Sequence, residues 1–168
     1  MVGALLSKED CAKCRFCCSF RRQSLWETPA FVNESLSELK KIYPEVCFKT
    51  LPDNIVTLNF DGAYQTDDSE EEAPCYFNKS GCILPEWLKP FDCKLWPLRI
   101  MLKDGKLYAA ISLSCPAIKE NTDEEIHAAA EGLSETMRDY ADRHLEIIKE
   151  YRENYKVLFK LIKDTPSK

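Results

Sequence analysis

The sequence predicts a small α+β, metal-bound domain whose loops and two short hairpins gather a cysteine cluster, followed by a long C-terminal helical segment. Three observations carry this expectation. There are nine cysteines in 168 residues. Two Asp-Gly pairs are each flanked by strand formers. In the last quarter of the chain the apolar residues recur at steps of three and four. Residues 1–120 are expected to form the cysteine-cluster domain, and 121–168 a helical extension packed on it.

Taken in order, Cys11, Cys14, Cys17 and Cys18 are too closely spaced for a long element and suggest a loop wrapped round something. Leu36, Leu39, Ile42 and Tyr43 recur at helical spacing, with Asn33 or Ser35 as cap and Pro44 as stop, which predicts a short helix over 33–43. Ile55 to Phe60 reads as a strand, and Asp61-Gly62 as a tight turn leading back along 63–66. The acidic run from Asp67 to Glu72 repels itself and reads as a solvated loop. Cys75 and Cys82 face each other across Ser80-Gly81, where glycine permits a knuckle turn. A helical turn over 86–89 is stopped by Pro90. Leu98–Lys103 and Lys106–Leu113 flank Asp104-Gly105 as a second hairpin running into Cys115-Pro116.

Thr122 and Glu125 form a capping box, after which Ile126, Ala130, Met137, His144, Tyr151, Leu158 and Ile162 keep helical phase. A single rod of about 40 residues would be about 60 Å long, more than a domain of this size spans. A break near Gly132 or Asn154 is therefore expected, or a projection that meets a protein partner or a second copy of the chain.

Composition narrows the function classes. With 23 Lys+Arg against 28 Asp+Glu the net charge is −5, which gives no ground for binding to nucleic acid or to an anionic membrane surface. Hydrophobic residues at 45% with charged residues at 30% fit a globular domain rather than a disordered one. No apolar run approaches the length of a membrane span. The first ten residues lack the basic and long apolar regions of a secretory signal, so a cytoplasmic, reducing setting is expected. There, clustered cysteines point to metal or redox chemistry rather than to disulfides.

Cys11-x-x-Cys14-x-x-Cys17 twice brings two sulfurs within one turn of backbone, as zinc and iron-sulfur sites both require. Three such cysteines with a remote Cys followed by Pro, here Cys115-Pro116, favour a 4Fe-4S cluster over zinc. Calcium and magnesium, which take oxygen ligands, are disfavoured. Cys17 and Cys18, being adjacent, are expected to point apart and to serve different metals, bridge two, or divide into one ligand and one supporting thiol. Lys13, Arg15, Arg21 and Arg22 could bind a small anionic ligand beside the metal or offset thiolate charge. Of the tryptophans Trp26, Trp87 and Trp96, which are expected to wall the metal, Trp96 stands just after Cys93 and would shield its sulfur. His127 and His144 lie on the predicted helix, His144 within its apolar stripe, as a packed residue rather than a ligand. The five glycines form neither a dinucleotide fingerprint nor a P-loop.

The string Cys11-Ala-Lys-Cys14-Arg-Phe-Cys17-Cys18, then Cys75-x6-Cys82, Cys93-Lys-Leu-Trp-Pro and Cys115-Pro, resembles the YkgJ-type CxxCxxCC cysteine-cluster family over about residues 11–116. The resemblance implies zinc or iron chelation through Cys11, Cys14, Cys17, Cys18, Cys75, Cys82, Cys93 and Cys115, with Cys47 left over. Where the family often carries Arg-Pro shortly before its third-block cysteine, this chain has Lys89-Pro90. The family includes a flagellin lysine N-methylase, but this chain is short for that enzyme's additional regions. Two functions are carried forward. One is an iron-sulfur protein working in redox or group-transfer chemistry, protein methylation included, with Arg15, Arg21 and Trp96 beside the cofactor. The other is a zinc-stapled interaction module. In either, metal is expected to stand in for a large apolar core.

Overall fold

The computed structural model describes Leu5, Leu6, Glu9 and residues 13–161, the side chain of Ala117 apart. Helices and strands are both present, as an α+β chain requires. Contacts divide it into two compact units, one spanning Leu6–Lys94 and the other beginning at Leu95. The division falls at Lys94/Leu95 rather than near residue 120, because the hairpin that follows Pro97 pairs with the C-terminal strands.

In the first unit β1 (Ser19–Arg21) is followed by helix α1 (Asn33–Ile42). Leu36 and Leu39 form the buried stripe of α1, and Pro44 follows its end. Its N-cap is Val32, without a side-chain cap, and Ser35 instead returns its hydroxyl to the Val32 carbonyl at 2.9 Å. The first hairpin pairs β2 (Phe48–Thr50) with β3 (Val56–Leu58), so β3 finds its partner upstream and not in 63–66. Asp53 and Asn54, both at positive φ, make the reversal, and Leu51 N–H closes on the Ile55 carbonyl at 2.7 Å. Asp61-Gly62 does form a turn, but the amides beyond it are satisfied by a side chain: Gln65 and Thr66 N–H both donate to Glu71.

The acidic run is more than a solvated loop. β4 (Glu72–Pro74) pairs antiparallel with β1, setting Arg21 opposite Glu72. Arg21 bridges Glu70 at 3.2 Å and Glu72 at 2.9 Å, and Arg22 reaches Glu71 at 3.6 Å. Under these strands Phe20, Phe31, Leu39, Phe77 and Leu88 belong to one buried apolar cluster. The unit therefore has an apolar core of its own, where the sequence left that task to metal. Helix α2 (Phe91–Leu95) stands at the boundary.

In the second unit β5 (Leu98–Lys103) and β6 (Lys106–Ser112) pair in the expected register across Asp104-Gly105, both residues at positive φ. Pro97 enters β5 through a cis peptide. Helices α3 (Asp123–Gly132) and α4 (Ser134–Arg143) follow, the first opened by the complete Thr122–Glu125 capping box. The long C-terminal helix does not continue. After Arg143 the chain forms a 3-10 turn, then β7 (Lys149–Glu150) and β8 (Tyr155–Lys160), giving a sheet ordered β7-β5-β6-β8. Val157, Leu158 and Phe159 are good strand formers, and the open edge of β6 supplies β8 with a ladder that an isolated helix would lack. Helix α3 is tied to β8 by Lys156–Asp123 at 2.8 Å and by the His127 ring 5.3 Å from Phe159.

Candidate metal centre

Four cysteines of the first unit are drawn together from three chain segments. Cys18 ends a 3-10 turn just before β1, and Cys75 follows β4, so the antiparallel ladder sets them side by side; Cys75 N–H donates to the Cys18 carbonyl at 2.7 Å. Cys82 returns to the same loop through a bridge with Asn78, across Gly81 at φ 106°. Cys93 lies on α2, its N–H bonded to the Pro90 carbonyl at 3.0 Å.

Electrostatics register the convergence. Burial pushes the Cys75 thiol up to about 12, opposed by hydrogen bonding from the Phe77 and Asn78 backbone, with Cys18 and Cys82 raising it further; Asn78 N–H also donates to the Cys75 carbonyl at 3.0 Å. Cys82 is exposed, but partial desolvation still raises its thiol, countered by hydrogen bonding from the Leu84 backbone and by Lys89. Cys93 is exposed at the surface of α2, yet the protein packed around it raises its thiol well above the ordinary value, first by desolvation and then by Cys18, Asp92, Cys75 and Cys82. Cys18 moves the other way: a hydrogen bond from Cys17 lowers it, opposed by burial and aided by Lys89. The cation acting on this cluster is thus Lys89, in the Lys-Pro step before Cys93. Arg15, exposed in a left-handed conformation, and Arg21, occupied by two glutamates, are not among the charges that shift these thiols.

The sulfurs of Cys17 and Cys18 do not diverge; the 3-10 turn leaves them 4.0 Å apart. A tetrahedral ion with metal-sulfur bonds of about 2.3 Å would need sulfurs about 3.8 Å apart. This pair meets that spacing, but among the described residues no group of three or more Cys, His, Asp or Glu side chains stands ready to hold a metal ion. In kind the donors suit a soft metal, being sulfur throughout.

The remaining candidates are more dispersed. Cys11 lies outside the described residues, and Cys14 is exposed. Cys115 is buried in the second unit, where it caps the 3-10 turn Pro116–Glu120. Trp96 belongs to that unit too, buried with the Arg99 guanidinium 5.9 Å from its ring. Trp87 walls nothing, being 62% exposed. His144 stacks near Tyr140 at 4.8 Å, a packed residue as expected. Sequence reasoning missed the amides of Phe77, Asn78 and Leu84; Gly81 was the nearest signal to them.

Compared with known protein families, curated proteins and solved structures, the chain has no match. Among the described residues no helix is long and apolar enough to cross a membrane.

Proposed function

We propose that the chain is a metal-binding cysteine-cluster protein of the YkgJ type, holding an iron-sulfur cluster used in redox or group-transfer chemistry. The observation that carries this reading is the meeting of Cys18, Cys75 and Cys82, set by the Cys75 N–H bond to the Cys18 carbonyl and by the Asn78–Cys82 bridge, with the backbone after Cys75 and Cys82 favouring their thiolates and Cys93 within electrostatic reach. Amide hydrogen bonds to ligand sulfur stabilise the thiolate that a metal requires and tune the potential of a cluster. Cys18, Cys75, Cys82 and Cys93 would hold the group, with Cys11, Cys14 and Cys17 as the further ligands of the same unit named by the resemblance, and Cys115, buried in the second unit, left out of it. Bound there, an iron-sulfur cluster supplies one-electron chemistry. Around it, Lys89 offsets thiolate charge at Cys18 and Cys82, while the Phe77 anchor fixes the loop that carries Cys75 and Cys82.

A second reading, zinc as a staple for a protein-interaction module, is favoured by the 4.0 Å separation of the Cys17 and Cys18 sulfurs. Purification without oxygen separates the two. A brown protein with broad absorption near roughly 400 nm and acid-labile sulfide supports the cluster. Colourless protein with stoichiometric zinc replaces the cluster with the staple, and protein free of both metals removes both readings.

A further inference from the structure

Neighbouring side chains on an extended strand point to opposite faces, yet the Cys17 and Cys18 sulfurs stand 4.0 Å apart. The backbone holds them there. Arg15, at φ 53°, turns the chain into the Phe16–Cys18 3-10 turn, within which Cys18 N–H donates to the Arg15 carbonyl at 3.0 Å and Ser19 N–H to the Phe16 carbonyl. Beyond the pair, the Cys18 carbonyl accepts from Cys75 N–H at 2.7 Å. Main-chain bonds therefore fix both sides of the dipeptide, and the approach of the two sulfurs is built into the turn. Both residues are half-buried, within reach of a small solute. A disulfide bond is about 2.05 Å long, so closing the gap takes about 1 Å of movement from each sulfur. The peptide between them is trans. Consecutive Cα atoms across such a peptide are about 3.8 Å apart, short of the roughly 4.4–6.8 Å that a disulfide ordinarily spans. A bond between adjacent cysteines is therefore strained, and strained disulfides are the readily reduced, regulatory ones.

We propose that Cys17 and Cys18 form a reversible switch, which a hydroperoxide closes to a disulfide between the adjacent residues and low-molecular-weight thiols reopen. One sulfur, as thiolate, attacks an oxygen of the peroxide; the O–O bond breaks, and a sulfenic acid and one water are left. The second sulfur attacks the first, the S–S bond forms, and the sulfenic oxygen leaves as a second water. The peroxide is reduced by two electrons, the two thiols are oxidised by two, and both thiol protons end in water. Reopening is thiol–disulfide exchange: two molecules of the small thiol give their hydrogens to Cys17 and Cys18 and leave as their own disulfide. Closure takes Cys18 away from its meeting with Cys75 and Cys82, so a metal held there loses a ligand. That consequence rests on the cluster reading, whereas the switch itself rests on the turn alone.

The sequence supplies a clean reporter. Trypsin cuts after Arg15 and Arg21, and fragment 16–21 holds Cys17 and Cys18 and no other cysteine. Full-length protein purified without oxygen is treated with hydrogen peroxide, capped with N-ethylmaleimide, digested and read by mass spectrometry. An open pair carries a maleimide on each sulfur; a closed pair carries none and has lost both thiol hydrogens. An equimolar dose of peroxide should convert most of the fragment to the closed form, and reduced glutathione should return it to the open one. Closure in the folded protein should run at least about tenfold faster than in protein unfolded by urea, where the turn no longer holds the sulfurs together. A fragment that keeps both labels under excess peroxide, Cys17 or Cys18 joined to another fragment, sulfinic acid in place of the bond, a closed form that glutathione leaves intact, or equal rates folded and unfolded would each overturn the switch. Metal counted before the oxidant is added reports on the cluster separately. Closure in metal-free protein removes the cluster and leaves the switch standing, and metal-loaded protein that never closes the bond removes the switch alone.

Discussion

Phe77 links the apolar core to the cysteine loop, and its removal should be felt in both. The ring is 1% exposed and stands 5.3 Å from Tyr43, 5.6 Å from Tyr76 and 6.3 Å from Phe31. Its backbone carbonyl accepts from Ile83 N–H at 2.9 Å, which closes the loop between Cys75 and Cys82. Returning a buried phenylalanine to water costs about 1.5–3 kcal/mol in transfer free energy, and the cavity left by Phe77→Ala brings the loss to about 3–5 kcal/mol. At a urea dependence of about 2 kcal/mol per molar, the unfolding midpoint should fall by about 2 M. Tryptophan emission follows the change, since Trp26 and Trp87 lie in the same unit. Phe77→Leu should fall between wild type and Phe77→Ala, keeping most of the buried area but losing the ring contacts. A midpoint shift below about 0.5 M for Phe77→Ala would mean that Phe77 does not anchor the loop.

Cys18→Ser, Cys75→Ser, Cys82→Ser and Cys93→Ser should each lower the metal bound per chain, measured by elemental analysis of anaerobically purified protein, whereas Cys47→Ser should not; equal loss in all five would show that the wrong thiols were chosen. Thr122→Ala removes a complete capping box and should cost about 1 kcal/mol, a fall in Tm of about 2–4 °C, with Thr122→Ser close to wild type; an unchanged Tm would assign no stability to the cap. Glu71 accepts from Gln65 N–H, Thr66 N–H and the Thr66 hydroxyl, bonds that hold its carboxyl down at about 2 from an ordinary 4.5. Because the folded value is depressed, its contribution is fully present above pH 4.5 and is lost as pH falls toward 2. A carbon-detected titration that places the Glu71 midpoint among the other glutamates would remove that role.

Where local chemistry decides the structure, the sequence was legible. Asp104-Gly105 and Thr122-x-x-Glu125 carry their geometry in four residues or fewer, and both formed as expected. Asp61-Gly62 carries the same local signal and does turn, but a turn does not choose the strand's partner; the Asp53-Asn54 reversal gave β3 an upstream one. The C-terminal segment fails for the opposite reason. Tyr155 to Lys160 satisfies helical spacing on paper, and only the unpaired edge of β6, distant in sequence, selects a strand. At the candidate centre the residue types were readable, but their grouping was not. Cys18 and Cys75 meet through a ladder whose one charged pair is Arg21 opposite Glu72, a pairing hidden in what looked like a solvated acidic loop. Arg21 illustrates the same blindness: it looked available for an anion until Glu70 and Glu72 arrived from far along the chain.

The short β1-β4 ladder decouples the two sulfurs it holds from the long excursion between them. Both ends of that excursion are stitched, at the Cys75-to-Cys18 bond and again where Arg22 N–H meets the Glu71 carbonyl at 3.1 Å. Extra residues spliced in between Thr66 and Asp68, where the chain is exposed, would enlarge a closed ring rather than stretch the thiol pair. Doubling such a ring costs only about 0.6 kcal/mol. That tip is a natural position for an affinity handle or a fluorophore.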